Sequence, residues 1–168
     1  QNEFNIWMNL LHKINDSILW LNKSNNISEI NLKREALKRN IDPERLFFAE
    51  RLKNKEQHLA RYLISDLGLD TFNYNGHTTT SDALWTGLPV LTKIGKSFPS
   101  RVSASIIKSF ELDELIASTE KEYEDKALFL ARNRNEISKI KDKLIFSKDF
   151  YLLKSKSYVE DLENLYLK

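Results

Sequence analysis

The sequence predicts an α/β fold, a parallel sheet flanked by helices. Short, largely apolar runs alternate with helical stretches of about 10 to 15 residues, the pattern of βαβ units. The runs are apolar on both sides rather than on alternate positions, which suits strands covered on both faces. The size is adequate as well: 168 residues, 41% of them apolar, can bury one core.

Phe4, Trp7, Met8, Leu10, Leu11 and Ile14 recur at helical spacing and predict a helix over residues 3–14. Asn15-Asp16 interrupts it, and Ser17 to Leu21 reads as the first strand. Ile27, Ile30, Leu32, Ala36 and Leu37 carry a second helix as far as Asn40, a residue that stops helices. Asp42-Pro43 is a turn, and Arg45 to Ala49 is the second strand. Lys55 to Ile64 forms a helix with Ser65-Asp66 as its polar exit, and residues 67–71 are a third strand weakened by Gly68. The polar turn Asn73-Tyr74-Asn75-Gly76 leads into a helix over 78–86. Gly87-Leu88-Pro89 ends that helix before a fourth strand, Val90 to Thr92. A helix over 100–108, a short segment at Leu115-Ile116 and helices over 119–143 and 155–167 complete a single unit, residues 1–168.

Composition narrows the function. With 26 basic and 24 acidic residues the formal net charge is +2, so neither a nucleic acid nor another polyelectrolyte is implied as partner. The absence of cysteine excludes disulfides, thiolate metal sites and a cysteine nucleophile, and it is compatible with a reducing compartment; the expected location is cytoplasmic. No apolar run approaches the roughly 18 residues of a membrane span, so no membrane partner is expected. Gln1-Asn2-Glu3 does not begin a signal peptide, and Asn22-Lys23-Ser24 and Asn26-Ile27-Ser28 are glycosylation sequons by pattern only. The four glycines, Gly68, Gly76, Gly87 and Gly95, are too widely spaced for a dinucleotide fingerprint. Gly95-Lys96-Ser97 looks like the tail of a phosphate loop, but Val90 stands where that motif needs glycine. No His-Glu-x-x-His or Asp-x-Asp occurs, and His12, His58 and His77 lack metal-ligand spacing.

An open α/β sheet binds ligands beyond the carboxyl ends of its strands, which directs attention to the loops after Leu21, Ala49, Thr71 and Thr92. The run from Leu69 to Gly87 passes from strand through a glycine turn to a helix opening among His77, Thr78 and Thr79. The unpaired amides and partial positive charge of a helix start seat phosphate well. Asp82, four residues past Thr78, lies on the same face one turn deeper, where it can accept from ribose hydroxyls. Thr79-x-x-Asp82 equally matches a capping box, which needs no ligand, and the two readings can coexist. Lys55-x-x-His58-x-x-Arg61 places two cations and an imidazole on one helical face, either a solvated surface or a seat for phosphate, ribose and base.

The run Asn75-Gly76-His77-Thr78-Thr79, followed by Asp82-Ala83-Leu84-Trp85-Thr86-Gly87-Leu88-Pro89-Val90, resembles the O-linked N-acetylglucosamine transferases and their bacterial relatives. The likeness extends through Ser17 to Leu21, Lys55 to His58, Ser100 to Ser105 and Leu162 to Leu167, and so covers essentially the whole chain. The resemblance implies a GT-B glycosyltransferase, in which two Rossmann-like lobes hold a sugar nucleotide between them. This chain corresponds to the C-terminal lobe, which binds the UDP part of the donor. The expectation is then of a fragment lacking its N-terminal lobe, inactive alone, with the protein acceptor recognised by upstream regions that include helical repeats. By matching position, Lys55 contacts ribose, His58 stacks on uracil, Arg61 helps fix the base, and the backbone near Lys53 reads the uracil edge. His77, Thr78 and Thr79 bind the diphosphate and stabilise the leaving group, while Asp82 holds Lys55 or the ribose hydroxyls. No cofactor or metal is expected.

Some positions depart from the family pattern. Lys53-Asn54 replaces a common Ala-Pro, Lys96 stands where Glu is frequent, and Lys23 is a candidate for a further phosphate-binding lysine. Tyr74 sits where it can touch the donor sugar. The donor expected is UDP-N-acetylglucosamine. The alternatives are another sugar, a small-molecule acceptor or a non-catalytic nucleotide-binding module.

Overall fold

A computed structural model describes residues 2–146 and 155–167. The first helix, α1 (Asn2–Lys13), turns Ile6, Met8, Leu10 and Leu11 inward. The first two strands, β1 (Leu19–Asn22) and β2 (Leu46–Ala49), pair in parallel from Leu19 opposite Leu46 to Asn22 opposite Ala49. Both begin later than the apolar pattern suggests, at Leu19 rather than Ser17 and at Leu46 rather than Arg45, and Arg45 is the reason. It ends a short 3-10 turn, Pro43–Arg45. Its guanidinium donates to the carbonyls of Leu11 (2.9 Å), Ile14 (2.7 Å) and Ser17 (2.9 Å), and to the Ser17 hydroxyl (3.0 Å). Carbonyls at a helix end need such partners, so Ser17 and Arg45 serve the turn and leave the ladder.

Between these strands runs α2 (Asn26–Leu37), capped reciprocally by Asn25 and Ser28. After β2 comes α3 (Lys55–Leu63), whose start Asn54 caps by accepting from the Gln57 N–H at 2.9 Å. A second parallel ladder has the order β3-β4-β5, formed by β3 (Gly68–Leu69), β4 (Val90–Lys93) and β5 (Ile116–Ala117). The strands thus form two hydrogen-bonded ladders rather than one continuous sheet. The third strand is shorter than the expected 67–71. The Asp70 N–H still reaches the Leu91 carbonyl (3.0 Å), but its own carboxylate then takes the Thr71 N–H (2.9 Å) and leads the chain out of the ladder.

Helix α4 (Thr78–Trp85) ends at Gly87, whose φ of +90° favours glycine. The expected 100–108 helix is a 3-10 turn, Phe98–Ser100, followed by α5 (Val102–Ser109). The expected 119–143 helix is two, α6 (Glu120–Arg132) and α7 (Arg134–Phe146). Asn133 divides them: its side-chain amide donates to the Phe129 carbonyl (2.7 Å), while its own carbonyl accepts the Glu136 N–H (2.9 Å) that opens the next helix. The last described helix is α8 (Ser155–Tyr166).

Helix α1 joins the two ladders. Ile6 and Leu10 pack with Leu91 and Tyr123 of the second ladder's layer, while Met8 and Leu11 pack with Leu19 and Leu46 of the first. A third cluster gathers Leu84, Val90, Ile107 and Leu144 on the opposite face of β4. Replacing Arg45 by alanine leaves three carbonyls without their charged donor. The expected loss is about 2–3 kcal/mol, seen as a lower urea midpoint with an unchanged slope.

Candidate functional site

At the carboxyl ends of β1 and β2 opens a cleft of about 530 Å³. Asn22 at the end of β1 and Lys23 just after it line the cleft, with Ala49 at the end of β2 and Arg51 and Leu52 beyond it. Asn54, the cap of α3, lines it together with Lys55, His58 and Arg61 of that helix and Thr78 and Asp82 of α4. The three-residue spacing on α3 therefore does bring Lys55, His58 and Arg61 to one place. Lys53 is exposed and outside the lining, although its neighbours Leu52 and Asn54 are in it. His77 and Thr79 flank Thr78 without lining the cleft.

Four cations, Lys23, Arg51, Lys55 and Arg61, face a single lining carboxylate, Asp82, so the cleft favours an anion. Glu50 organises part of this charge. Its carboxylate accepts from the Lys23 ammonium at 2.7 Å and its carbonyl from the Arg61 guanidinium. The hydrogen bond and charge of Glu50 hold the Lys23 pKa above its ordinary value. His58 meets Tyr62 edge-to-face at 5.5 Å, which sets the ring on α3. Burial raises the Tyr62 pKa, and the negative charge of Asp82 adds to that; α3 and α4 thus share one electrostatic environment.

The start of α4 is built differently from a capped helix. His77 occupies the cap position, with φ −104° and ψ −90°, and no side chain caps the helix. Thr79 already lies inside the helix, so of the two readings of Thr79 and Asp82 the capping box does not form; Asp82 turns to the cleft. The first-turn amides are therefore not taken up by a capping side chain.

What orients this helix start is a polar network beneath it. The buried Asp70 carboxylate accepts from the N–H groups of Thr71 (2.9 Å) and Gly76 (2.8 Å) and from the Thr92 hydroxyl (2.6 Å). Burial raises the Asp70 pKa, opposed by the hydrogen bonds from Thr92, Gly76 and Thr71. From α5, the Ser103 hydroxyl bonds the Gly76 carbonyl and the Thr80 hydroxyl, each at 2.8 Å. A Cβ on Gly76 would stand 2.5 Å from Thr80 Oγ1 and 2.7 Å from Thr79 Oγ1, so only glycine fits this close approach. Tyr74 stacks on His77 with centroids 4.9 Å apart and an interplanar angle of 12°, and the Phe98 edge approaches at 6.2 Å. Two atoms of the loop, Asn75 Oδ1 and His77 Nε2, are buried without a hydrogen-bond partner.

Sequence reasoning assigned no part to Asn22, Arg51, Asp70 or Ser103. Asn22 ends a strand and Arg51 follows one, so both fall under the general rule for strand carboxyl ends. Asp70 and Ser103 lie 33 positions apart, and no spacing rule joins them. Among the described residues there is no group of three or more His, Cys, Asp or Glu side chains arranged to hold a metal ion. Nor is any of their helices long and apolar enough to cross a membrane.

Fold and cleft together define an α/β module of the class that holds anionic ligands beyond its strand ends, beside a helix start. The chain belongs to glycosyl transferase family 41, whose profile matches residues 2–162. It is 33% identical over 161 residues to the UDP-N-acetylglucosamine–peptide N-acetylglucosaminyltransferase of Caenorhabditis elegans, covering 95% of this chain and 14% of that protein. It is 31% identical over 166 residues to the probable enzyme of that name, SEC, from Arabidopsis thaliana, covering 98% of this chain and 17% of that one. Among solved structures, a mutant of the Thermobaculum terrenum O-GlcNAc transferase superposes with a TM-score of 0.86 at 28% identity, over 97% of this chain and 32% of that one. The family resemblance and the parallel α/β fold are thereby borne out. The chain spans only 14% and 17% of these two sequence relatives.

Gly76→Ala is expected to lower stability by about 1–3 kcal/mol through overpacking, read by thermal unfolding. A pH experiment addresses Asp70. Its folded pKa is raised from the ordinary 3.8, so its contribution is most favourable below that value and is lost as pH rises through the folded value. Asp70→Asn removes this titration. The variant should gain stability relative to the wild type as the pH rises above about 4, measured by urea unfolding at each pH.

Proposed function

We propose that this chain is the donor-nucleotide-binding lobe of a protein O-glycosyltransferase. In the intact protein it would serve transfer of N-acetylglucosamine from UDP-N-acetylglucosamine to serine or threonine hydroxyls. One observation carries the reading: α3 and α4 bring Lys55, His58, Thr78 and Asp82 of the family motifs, with Arg61 one turn beyond His58, into one cation-rich cleft. The names of the relatives supply the donor and the peptide acceptor.

In this reading His58 stacks on uracil, Arg61 and the backbone at Lys53 fix the base, and Lys55 meets the ribose. Asp82 accepts from ribose hydroxyls or steadies Lys55. His77, Thr78 and Thr79 receive the diphosphate at the start of α4, and Lys23 adds charge from the end of β1. During transfer the acceptor hydroxyl oxygen bonds to the anomeric carbon and releases its proton. The bond from that carbon to the β-phosphate oxygen breaks, and UDP departs. Negative charge grows on the β-phosphate, where helix amides and preoriented donors stabilise it. Lysine, arginine and a helix start supply positive charge without a divalent ion, so the reading includes metal independence. It also includes acceptor recognition outside this lobe and a cytoplasmic setting.

The stacking of Tyr74 on His77 favours a second reading, with a different donor sugar, because the tyrosine ring stands beside the residue assigned to the diphosphate. A panel of UDP-sugars with mass-spectrometric product detection separates the two. Exclusive transfer of N-acetylglucosamine to protein eliminates the second.

Calorimetric titration of UDP into the protein at its natural length tests the site. Single-site binding is expected, unaffected by EDTA. Lys55→Ala and His77→Ala should each weaken it about tenfold, or about 1.4 kcal/mol. Unchanged affinity in both variants would remove these residues from the site.

A further inference from the structure

Asp70 is a buried charge that the transfer reaction itself does not use, and it lies directly beneath the loop assigned to the diphosphate. At the end of β3 it is only 8% exposed. Its Oδ1 atom accepts both the Thr71 and the Gly76 N–H, and its Oδ2 accepts the Thr92 hydroxyl from the neighbouring strand. Its backbone carbonyl is fixed in turn by the buried Tyr123 hydroxyl at 3.0 Å. The carbonyl of the same residue, in the next peptide unit, is held as well, by the Ser103 hydroxyl that donates to it. Both backbone polar groups of Gly76 are thus tied to the core, one residue before His77 and two before Thr78.

The consequence follows from the missing cap. Where a side chain caps a helix, that side chain sets the direction of the first amides and consumes one of them. No side chain caps α4, so those amides are aimed by the peptide that leads into them. A carboxylate with three donors and little exposure has few alternative positions, and a carboxylate oxygen accepts two N–H groups readily.

We propose that Asp70 is a positioning residue for the donor diphosphate, setting through the backbone of Gly76 the direction of the amides at the start of α4. The inference rests on the nucleotide-binding reading above. It assigns no contact between Asp70 and substrate, and the role is geometric rather than electrostatic. A negative charge beside a diphosphate would oppose binding, and here three donors offset it.

The experiment compares UDP with uridine as ligands, in the protein at its natural length. Both carry the base and ribose that α3 is assigned to hold, and only UDP carries the diphosphate. Asp70→Ala should weaken UDP about tenfold or more while changing uridine by less than about twofold. Asp70→Asn retains an oxygen for the two backbone N–H groups, and Thr92 can then accept from the new amide. It should keep UDP affinity within about threefold of the wild type. Thr92→Val, which removes one donor and no charge, should lower the UDP-to-uridine affinity ratio about threefold and provides the reading should Asp70→Ala fail to fold. Parallel losses of UDP and uridine in Asp70→Ala, or an unchanged ratio in Thr92→Val, would overturn the proposal, as would an Asp70→Asn loss equal to that of alanine. A wild-type protein that binds uridine but gains nothing from the diphosphate also overturns it. Failure of the wild type to bind either ligand overturns the nucleotide-binding reading itself.

Discussion

A carboxylate removed from water must be met by donors or it unfolds its surroundings. Asp70 is met by three, from its own turn, from Gly76 and from the adjacent strand. Much of the local architecture follows from satisfying it. The third strand stops because Thr71 bonds to the carboxylate rather than to a neighbouring strand. The turn closes because the Gly76 N–H, six residues on, must reach the same oxygen. Position 76 must be glycine because the chain then runs directly under Thr79 and Thr80. A helix delivered in this way starts at the edge of the cleft without a cap.

The other wall of the cleft has a separate origin. Helix α1 packs on both ladders, and Arg45 ties the end of that helix to the turn before β1. These contacts fix where β1 and β2 end, and hence where Lys23, Arg51 and the start of α3 stand. Within this wall Glu50 joins Lys23 after β1 to Arg61 on α3, with its carboxylate on the lysine and its carbonyl on the guanidinium. A small cluster of charge is concentrated in this way on a protein whose formal net charge is only +2. Local arrangement, not bulk charge, makes the cleft suited to an anion.

The sequence was most legible where periodicity and ligand loops coincide. The helical spacing of Lys55, His58 and Arg61 survives directly as a shared lining, and the helix predicted from Thr78 begins at Thr78. Boundaries were read less well wherever a side chain competes with the backbone for hydrogen bonds. Arg45 and Ser17 look like strand residues by pattern but serve a turn, and Asn133 divides a stretch whose periodicity runs on unbroken. The Thr79–Asp82 pattern was the instructive ambiguity: local rules allow a capping box, and the non-local Asp70 network moves the helix start two residues ahead of it. Asp70 and Ser103 themselves were invisible as a pair, because their meeting depends on how β3, β4 and α5 stack.

The most direct measurement is the structure of the protein at its natural length with UDP bound. The account predicts diphosphate oxygens about 3 Å from the backbone nitrogens of Thr78 and Thr79, with uracil against His58 and ribose beside Lys55. The Asp70 bonds to Gly76 and Thr92 should be unchanged from those described. A diphosphate seated away from α4, or a base that leaves His58 uncovered, would contradict it.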